Sequence, residues 1–366
     1  MSLLILPSII YYYEIHPSQS LKNRYSIIDR QGIHFFKDKK MSLPRLILIV
    51  LCTIAVIFVV YCIIELFGQN SIDSRYTPQR WVKISENNER ADKETTDSTP
   101  SNLPIRVAVA PVISPEKSLA IYQWFVDYLG AVLDKKAVLL QRQSYAEVND
   151  LIRHGGCDIA FICTYPFVQA ERDFGAKLLV VPQINGKITY KSYIIVPGTS
   201  KAVSLLYLRG KRFGSSDILS NSGWLFPAVW LLEKNEDPEY FFKEHVLTGS
   251  HDRSIMAVAT GYVDGAAVDS LIYEFMVKED PSLLDKTRII MKSPDFGMPP
   301  VVVHPKMDPT LKESIADLLI NMHETPGGKV VLAKLGIDRF VVPDDTIYDS
   351  VRKAATIWES TYEDCH

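Results

Sequence analysis

Leu46 to Ile64 is one unbroken apolar run without a charged residue. It approaches the ~20 residues an α-helix needs to cross a bilayer. It lacks the polar positions that a soluble amphipathic helix keeps on its outer face. Lys37, Lys39, Lys40 and Arg45 precede the run, and the next basic residue after it is Arg75. The positive-inside rule then places the N-terminus in the cytoplasm and the rest of the chain outside. The apolar core is longer than a signal-peptide h-region and no Ala-x-Ala-like site follows it. Cys62 follows Val59-Val60-Tyr61, not the small residues of a lipoprotein cleavage site. The expectation is an uncleaved single-pass transmembrane helix over 46–67 in the cell inner (cytoplasmic) membrane, with the C-terminal part periplasmic.

Residues 1–45 are expected to form a short cytoplasmic segment. Met41, followed by Ser-Leu-Pro-Arg and the apolar run, looks like a natural start, so residues 1–40 read as an upstream start choice or a short tail. Residues 68–103 are dominated by Asn, Ser, Thr, Asp and Glu, and read as a disordered tether. With 47% hydrophobic and 23% charged residues, the composition fits a globular protein with a membrane element. A net charge of -3 gives no reason to expect nucleic acid. Cys157 and Cys163 bracket a predicted strand, which separates their Cα atoms by about 20 Å. A disulfide needs less than about 7 Å, so neither a structural disulfide nor a cysteine metal site is expected.

From Pro104 onward short apolar strands alternate with amphipathic helices. Ile105–Ala110, Ala137–Leu140, Asp158–Ile162 and Leu178–Val181 read as strands. The helical run from Pro115 to Leu133 and the Tyr145–Ile152 helix lie between them. A second unit opens near Tyr190 and carries strands at Ser192–Val196, Lys211–Gly214, His245–Thr248, Gly265–Val268 and Arg288–Met291. The alternation predicts α/β architecture with mainly parallel sheets. The expected domains are 104–190 plus 297–366, and 192–292, with hinge crossovers near 190–197 and 292–299.

The stretch Phe213 to Pro227 runs from a strand through small polar residues into a helix, and places Ser220-Asn221-Ser222 at the helix start. Such a position has free backbone N–H groups and the positive end of the macrodipole. It fits an oxyanion, but taken alone it reads first as an ordinary N-cap. No Gly-x-Ser-x-Gly elbow, P-loop or His-Glu-x-x-His is present, and the eight histidines show no metal-ligand spacing. A binding protein rather than an enzyme is expected, without cofactor or metal.

Several segments together resemble the PhnD-like phosphate/phosphite/phosphonate-binding proteins of ABC transporters, of the type II periplasmic binding protein fold. They are Leu205 to Gly214, Ser220-Asn221-Ser222-Gly223 with Pro227, Gly249-Ser250-His251 with Ala257-Val258, Gly261 to Asp264, Lys292-Ser293-Pro294 and Ser144-Tyr145. The resemblance covers residues 104 to about 358. It implies a two-domain binding protein that closes on a small phosphorus oxyanion. Ser220 and Ser222 would hydrogen-bond the anion, and Asn221 would stand where the family usually has Thr. His251 would reach across the cleft, or simply start its helix. Tyr145 would donate from the first domain, or pack as a half-buried aromatic. Ile162 replaces a second family Tyr, so either Thr164 or Tyr165 would substitute for it or the contact would be absent. The family's acidic positions for a ligand amino group match Leu271 and Pro299, which argues against an aminoalkylphosphonate. The implied partner is an ABC permease, the alternative a membrane sensor such as a histidine kinase, with a different small organic ligand also open.

Overall fold

In the computed structural model the described residues are 103–363, with two short strand pairs earlier in the chain, Leu4–Leu6 with Ile9–Tyr11 and Ile28–Asp29 with Gly32–Ile33. The expected membrane span over 46–67 lies outside the described residues, as does the tether apart from Leu103. Among the described residues no helix is long and apolar enough to cross a membrane.

Two sheets organise residues 103–363. The first is built from β1 (Ile105–Val109), β2 (Ala137–Gln141), β3 (Ile159–Phe161) and β4 (Lys177–Gln183), in the order β2-β1-β3, then one later strand, then β4. Helices α1 (Pro115–Leu133), α2 (Tyr145–Arg153) and α3 (Thr164–Phe174) connect these strands. The two faces of the sheet separate by the period-2 alternation of a strand. Ile105, Val107 and Val109 pack with Phe125, Val126 and Leu129 of α1, whereas Ala108 and Ala110 pack with Tyr145, Val148 and Ile152 of α2. Burial on both faces explains why these strands read as continuous apolar runs.

The chain leaves this sheet through β5 (Thr189–Tyr190) and builds the second from β6 (Ser192–Pro197), β7 (Arg212–Ser215), β8 (Glu244–Leu247), β9 (Gly265–Asp269) and β10 (Thr287–Lys292), ordered β8-β7-β9-β6-β10. One π-helical turn, Asn221–Leu225, runs directly into α4 (Phe226–Leu232). Short α5 (Pro238–Phe241), then α6 (His251–Ala259), α7 (Ser270–Glu279) and short α8 (Leu283–Lys286) complete this lobe. Ile194 and Val196 face Trp224, Ala228 and Leu231, and Tyr193 and Ile195 face Ile255, Val258 and Tyr273.

The return passes through β11 (Phe296–Gly297), which pairs antiparallel with β5. The two crossings between lobes therefore lie side by side. β12 (Val301–Val303) then inserts between β3 and β4, and α9 (Pro309–Asn321), α10 (Pro326–Leu335), β13 (Arg339–Val341) and α11 (Asp349–Glu363) close the fold.

The sheets are mixed, which corrects the expectation of mainly parallel ones. Parallel pairing holds for β1 with β2 and β3, and for β7 with β8 and β9. β12 is antiparallel to β3 and β4, β13 is antiparallel to β4, and β6 is antiparallel to β9 and β10. β6 and β12 are the first strands entered after each crossing, so they arrive from the hinge side and run against their neighbours.

Candidate functional site

The cleft between the lobes holds a cage of buried hydroxyl, amide and imidazole groups. The second lobe supplies most of it from the carboxyl ends of its strands, where ligands of α/β sheets commonly sit. Ser216 directly follows β7. Ser220 caps the π turn, its Oγ accepting the Gly223 N–H at 3.0 Å. A Cβ on Gly223 would lie 2.8 Å from Ser216 Oγ and 2.9 Å from Ser220 Oγ, so a glycine is needed for the loop to draw its hydroxyls together. π turns recur at functional sites.

His251 opens α6 and is 1% exposed. Its Nδ1 accepts the Asp269 backbone N–H at 3.1 Å. The ring proton therefore belongs on Nε2, which lies 3.2 Å from both Ser216 Oγ and Ser220 Oγ. Burial lowers the His251 pKa to about 3, against a smaller opposing pull from Asp252, so the ring is a neutral donor at pH 7. Tyr190, in β5, meets Thr164 Oγ1 at 2.9 Å and Asn221 Nδ2 at 3.1 Å through its hydroxyl. Burial pushes the Tyr145 and Tyr190 phenols well above their ordinary value, which keeps both protonated.

Two hydroxyls of the cage, Tyr145 Oη and Ser222 Oγ, are buried without a hydrogen-bond partner. Ser216 is near enough to Tyr145 to bear on its ionisation, but no hydrogen bond of acceptable geometry forms. Tyr145 comes from the first lobe and Ser222 from the second. Buried polar groups are nearly always paired, and leaving one unpaired costs roughly 1–3 kcal/mol. The cage thus presents donors but no cation. Asp269 brings a buried carboxyl to the cage; burial pushes its pKa up to about 7 while its Oδ1 accepts the Leu271 N–H at 2.7 Å.

The lobes also grip each other beside the cage. Asp252 accepts the Ser114 N–H at 2.9 Å and the Ser114 hydroxyl at 2.7 Å, and pairs with Lys117 at 3.5 Å. His251 donates its backbone N–H to the Val112 carbonyl at 3.0 Å, and Tyr145 donates its own to Asp217 at 3.0 Å.

Of the residues expected at the site, Tyr145, Thr164, Ser220, Asn221, Ser222 and His251 come together. Tyr165 does not. Its hydroxyl donates to Glu359 of α11 at 3.1 Å, beside Gln169 and Arg172, which share that carboxylate. Successive helix residues point about 100° apart, and Thr164 takes the cleft-facing direction. Sequence reasoning missed Tyr190 and Ser216. Ser216 was findable from its place just beyond a strand's carboxyl end, and Tyr190 from its place at a crossing. Asp295 pairs with Lys191 at 3.2 Å at the lobe boundary. Among the described residues no cluster of His, Cys, Asp and Glu could hold a metal ion.

The sequence model of the family described as "ABC transporter, phosphonate, periplasmic substrate-binding protein" matches residues 107–348. The chain belongs to this family. It is 29% identical over 244 residues to the phosphonates-binding periplasmic protein of Escherichia coli (strain K12), covering 65% of this chain and 72% of that one. It is 26% identical over 130 residues to a probable ABC transporter phosphite-binding protein of Prochlorococcus marinus (strain MIT 9301), covering 35% of this chain and 42% of the relative. A binding protein component of an ABC phosphonate transporter from Pseudomonas aeruginosa superposes with a TM-score of 0.66 at 23% identity, over 71% of this chain and 88% of the other. The Prochlorococcus marinus protein in complex with methylphosphonate superposes with a TM-score of 0.62 at 18% identity, over 70% of this chain and 98% of the other. These likenesses establish the periplasmic binding protein fold.

Proposed function

We propose that this protein is a membrane-tethered, extracytoplasmic solute-binding protein that captures a small phosphorus oxyanion, such as phosphate, phosphite or a simple phosphonate, and delivers it to an ABC permease. The observation that carries the reading is the pair of buried, unpartnered hydroxyls, Tyr145 Oη and Ser222 Oγ, contributed by opposite lobes. An oxyanion placed between them would satisfy both and would hold the lobes shut. His251 Nε2–H, the hydroxyls of Ser216 and Ser220, the Asn221 amide and the N-terminal end of the π turn would take its remaining lone pairs. Tyr190 offers a phenol beside Thr164, which can stand in for the tyrosine that Ile162 replaces. The lobes, 104–190 plus 297–366 and 192–292, would open and close about the paired crossings at β5 and β11.

The test is a thermal-shift series on the full-length protein with phosphate, phosphite, methylphosphonate and sulfate. A ligand at a hundred times its Kd stabilises by about 2.7 kcal/mol. A rise with a phosphorus oxyanion, abolished in Ser220→Ala/Ser222→Ala, supports the reading; no rise with any of them overturns it. Anchoring through 46–67 is tested by adding protease outside spheroplasts, where residues 70–100 should be cut.

A further inference from the structure

Beside the cage the cleft widens into a cavity of about 340 Å³ between α7 and the carboxyl-end edge of the first sheet. That is many times the space one water molecule needs, and far more than the bare oxygens of an oxyanion need. Its walls are mostly apolar, with Val112, Ile162, Leu271, Ile272, Met298 and Pro299 among them. The cavity and the cage share walls. The carbonyl of Val112 takes the His251 N–H, Asp269 lines both, and Ile162 stands two residues before Thr164.

The charged groups that line the cavity do not form a cation site at its inner end. Lys278, Lys334 and Glu274 are exposed at the rim. Glu274 is engaged by the Tyr193 hydroxyl at 2.7 Å, and Lys334 lies over the Trp124 ring at 4.2 Å. Asp269 is the one carboxyl shared with the cage; its Oδ1 accepts the Leu271 N–H at 2.7 Å, and burial favours its neutral form, which makes it a poor partner for an ammonium up to about pH 7. Leu271 and Pro299 line the cavity and carry no charge, and a buried ammonium without a carboxylate partner is strongly disfavoured. Apolar pockets with a few converging polar groups are the usual form of a small-molecule site. Here the polar groups are gathered at one end.

We infer that the ligand's substituent is apolar and uncharged, so that the protein selects alkyl- or aryl-substituted phosphonates over aminoalkyl ones. This rests on the proposed reading of the cage as the oxyanion site. The substituent would run from the cage along Ile162 and Leu271 toward the rim.

The experiment measures the affinity of the full-length protein for inorganic phosphate, methylphosphonate, butylphosphonate, phenylphosphonate and 2-aminoethylphosphonate by isothermal titration calorimetry. Each methylene buried adds roughly fourfold in affinity, so butylphosphonate should bind at least about tenfold tighter than methylphosphonate. Phenylphosphonate should gain similarly, and 2-aminoethylphosphonate should bind more weakly than butylphosphonate. Leu271→Glu should lower the butyl-to-aminoethyl affinity ratio. If methylphosphonate binds but the longer apolar probes bind no tighter, or the aminoethyl probe binds tightest, the inference is overturned and the cage reading stands. If none of the probes binds to protein that still melts cooperatively, both fall together.

Discussion

His251 Nδ1 and the backbone N–H of Asp269 are hydrogen-bonded at 3.1 Å. This contact fixes the tautomer of the one imidazole in the cage and aims its proton at Ser216 and Ser220. A buried donor that carries no net charge follows from a backbone group, not from a charged neighbour. As the proposed oxyanion site, the cage would recognise lone pairs without the help of a lysine or arginine.

The first prediction concerns that imidazole. Its pKa is about 3 in the fold because of burial, against an ordinary 6.5. A depressed histidine contributes stability that is fully present above about pH 6.5 and is lost as pH falls toward 3. NMR titration of His251 should show no protonation step centred between pH 8 and pH 5. His251→Ala should flatten the acid limb of the stability curve and weaken oxyanion binding at least about tenfold.

Ser222→Ala and Tyr145→Phe should separate binding from stability. Neither hydroxyl has a hydrogen-bond partner in the fold, so removing it relieves a buried polar group without breaking a bond. Melting temperature without ligand should stay level or rise. A hydrogen bond to a charged ligand is worth about 1.5–3 kcal/mol, which corresponds to a loss of roughly 10- to 150-fold in affinity by calorimetry for each variant. A drop in unliganded stability with unchanged affinity would place these hydroxyls outside the ligand's reach.

Asp269 gives a pH dependence of opposite sign. Burial raises its pKa to about 7 in the fold, from 3.8. Between these values the folded protein holds a proton that the unfolded chain has lost. Stability therefore falls as pH rises from about 4 to 7, by on the order of 4 kcal/mol. Asp269→Asn should abolish this trend in denaturant titrations. Above pH 7 the carboxylate repels an anion in the cage. The ratio of variant to wild-type affinity for one oxyanion should therefore rise with pH, with the ligand's own ionisation cancelling.

On the proposed reading, the contacts of Asp252 with Ser114 should set how long the cleft stays shut. Burial alone would raise its pKa, but hydrogen bonds from Ser250 and Ser114 and the Lys117 charge hold it below the ordinary value. Asp252→Ala removes the acceptor for two Ser114 groups on the opposite lobe. Stopped-flow measurement should show ligand release accelerated by about tenfold or more with a smaller change in the association rate. An unchanged release rate would mean that the ligand alone holds the lobes together.

Much of the architecture was legible because buried strands and amphipathic helices leave distinct periodicities. The Tyr145–Ile152 helix and the Ser220 cap are examples. Strand direction was not legible: Val301 to Val303 and Ser192 to Val196 read the same whether they run with or against their neighbours, and only the crossings decide. The two-residue pair of Tyr190 with Phe296 is too short to leave a periodic trace, which is why Tyr190 escaped notice. Thr164 and Tyr165 illustrate a different limit. Both are polar-capable residues at one helix start, and the phase of α3 against α11 settles which enters the cleft. The apolar cavity was half legible, since Leu271 and Pro299 could be read as missing carboxylates but not as one wall.

Tyr190 belongs to β5, one of the two paired strands that connect the lobes, and its ring lies 6.1 Å from that of Phe296 in the other. Its hydroxyl nevertheless reaches Thr164 and Asn221 in the cage. On the proposed reading, axle and sensor are one side chain. A solute settling against this phenol would press on the pivot itself, filling and bending would become a single event, and a permease outside would tell a loaded molecule from an empty one by its shape alone.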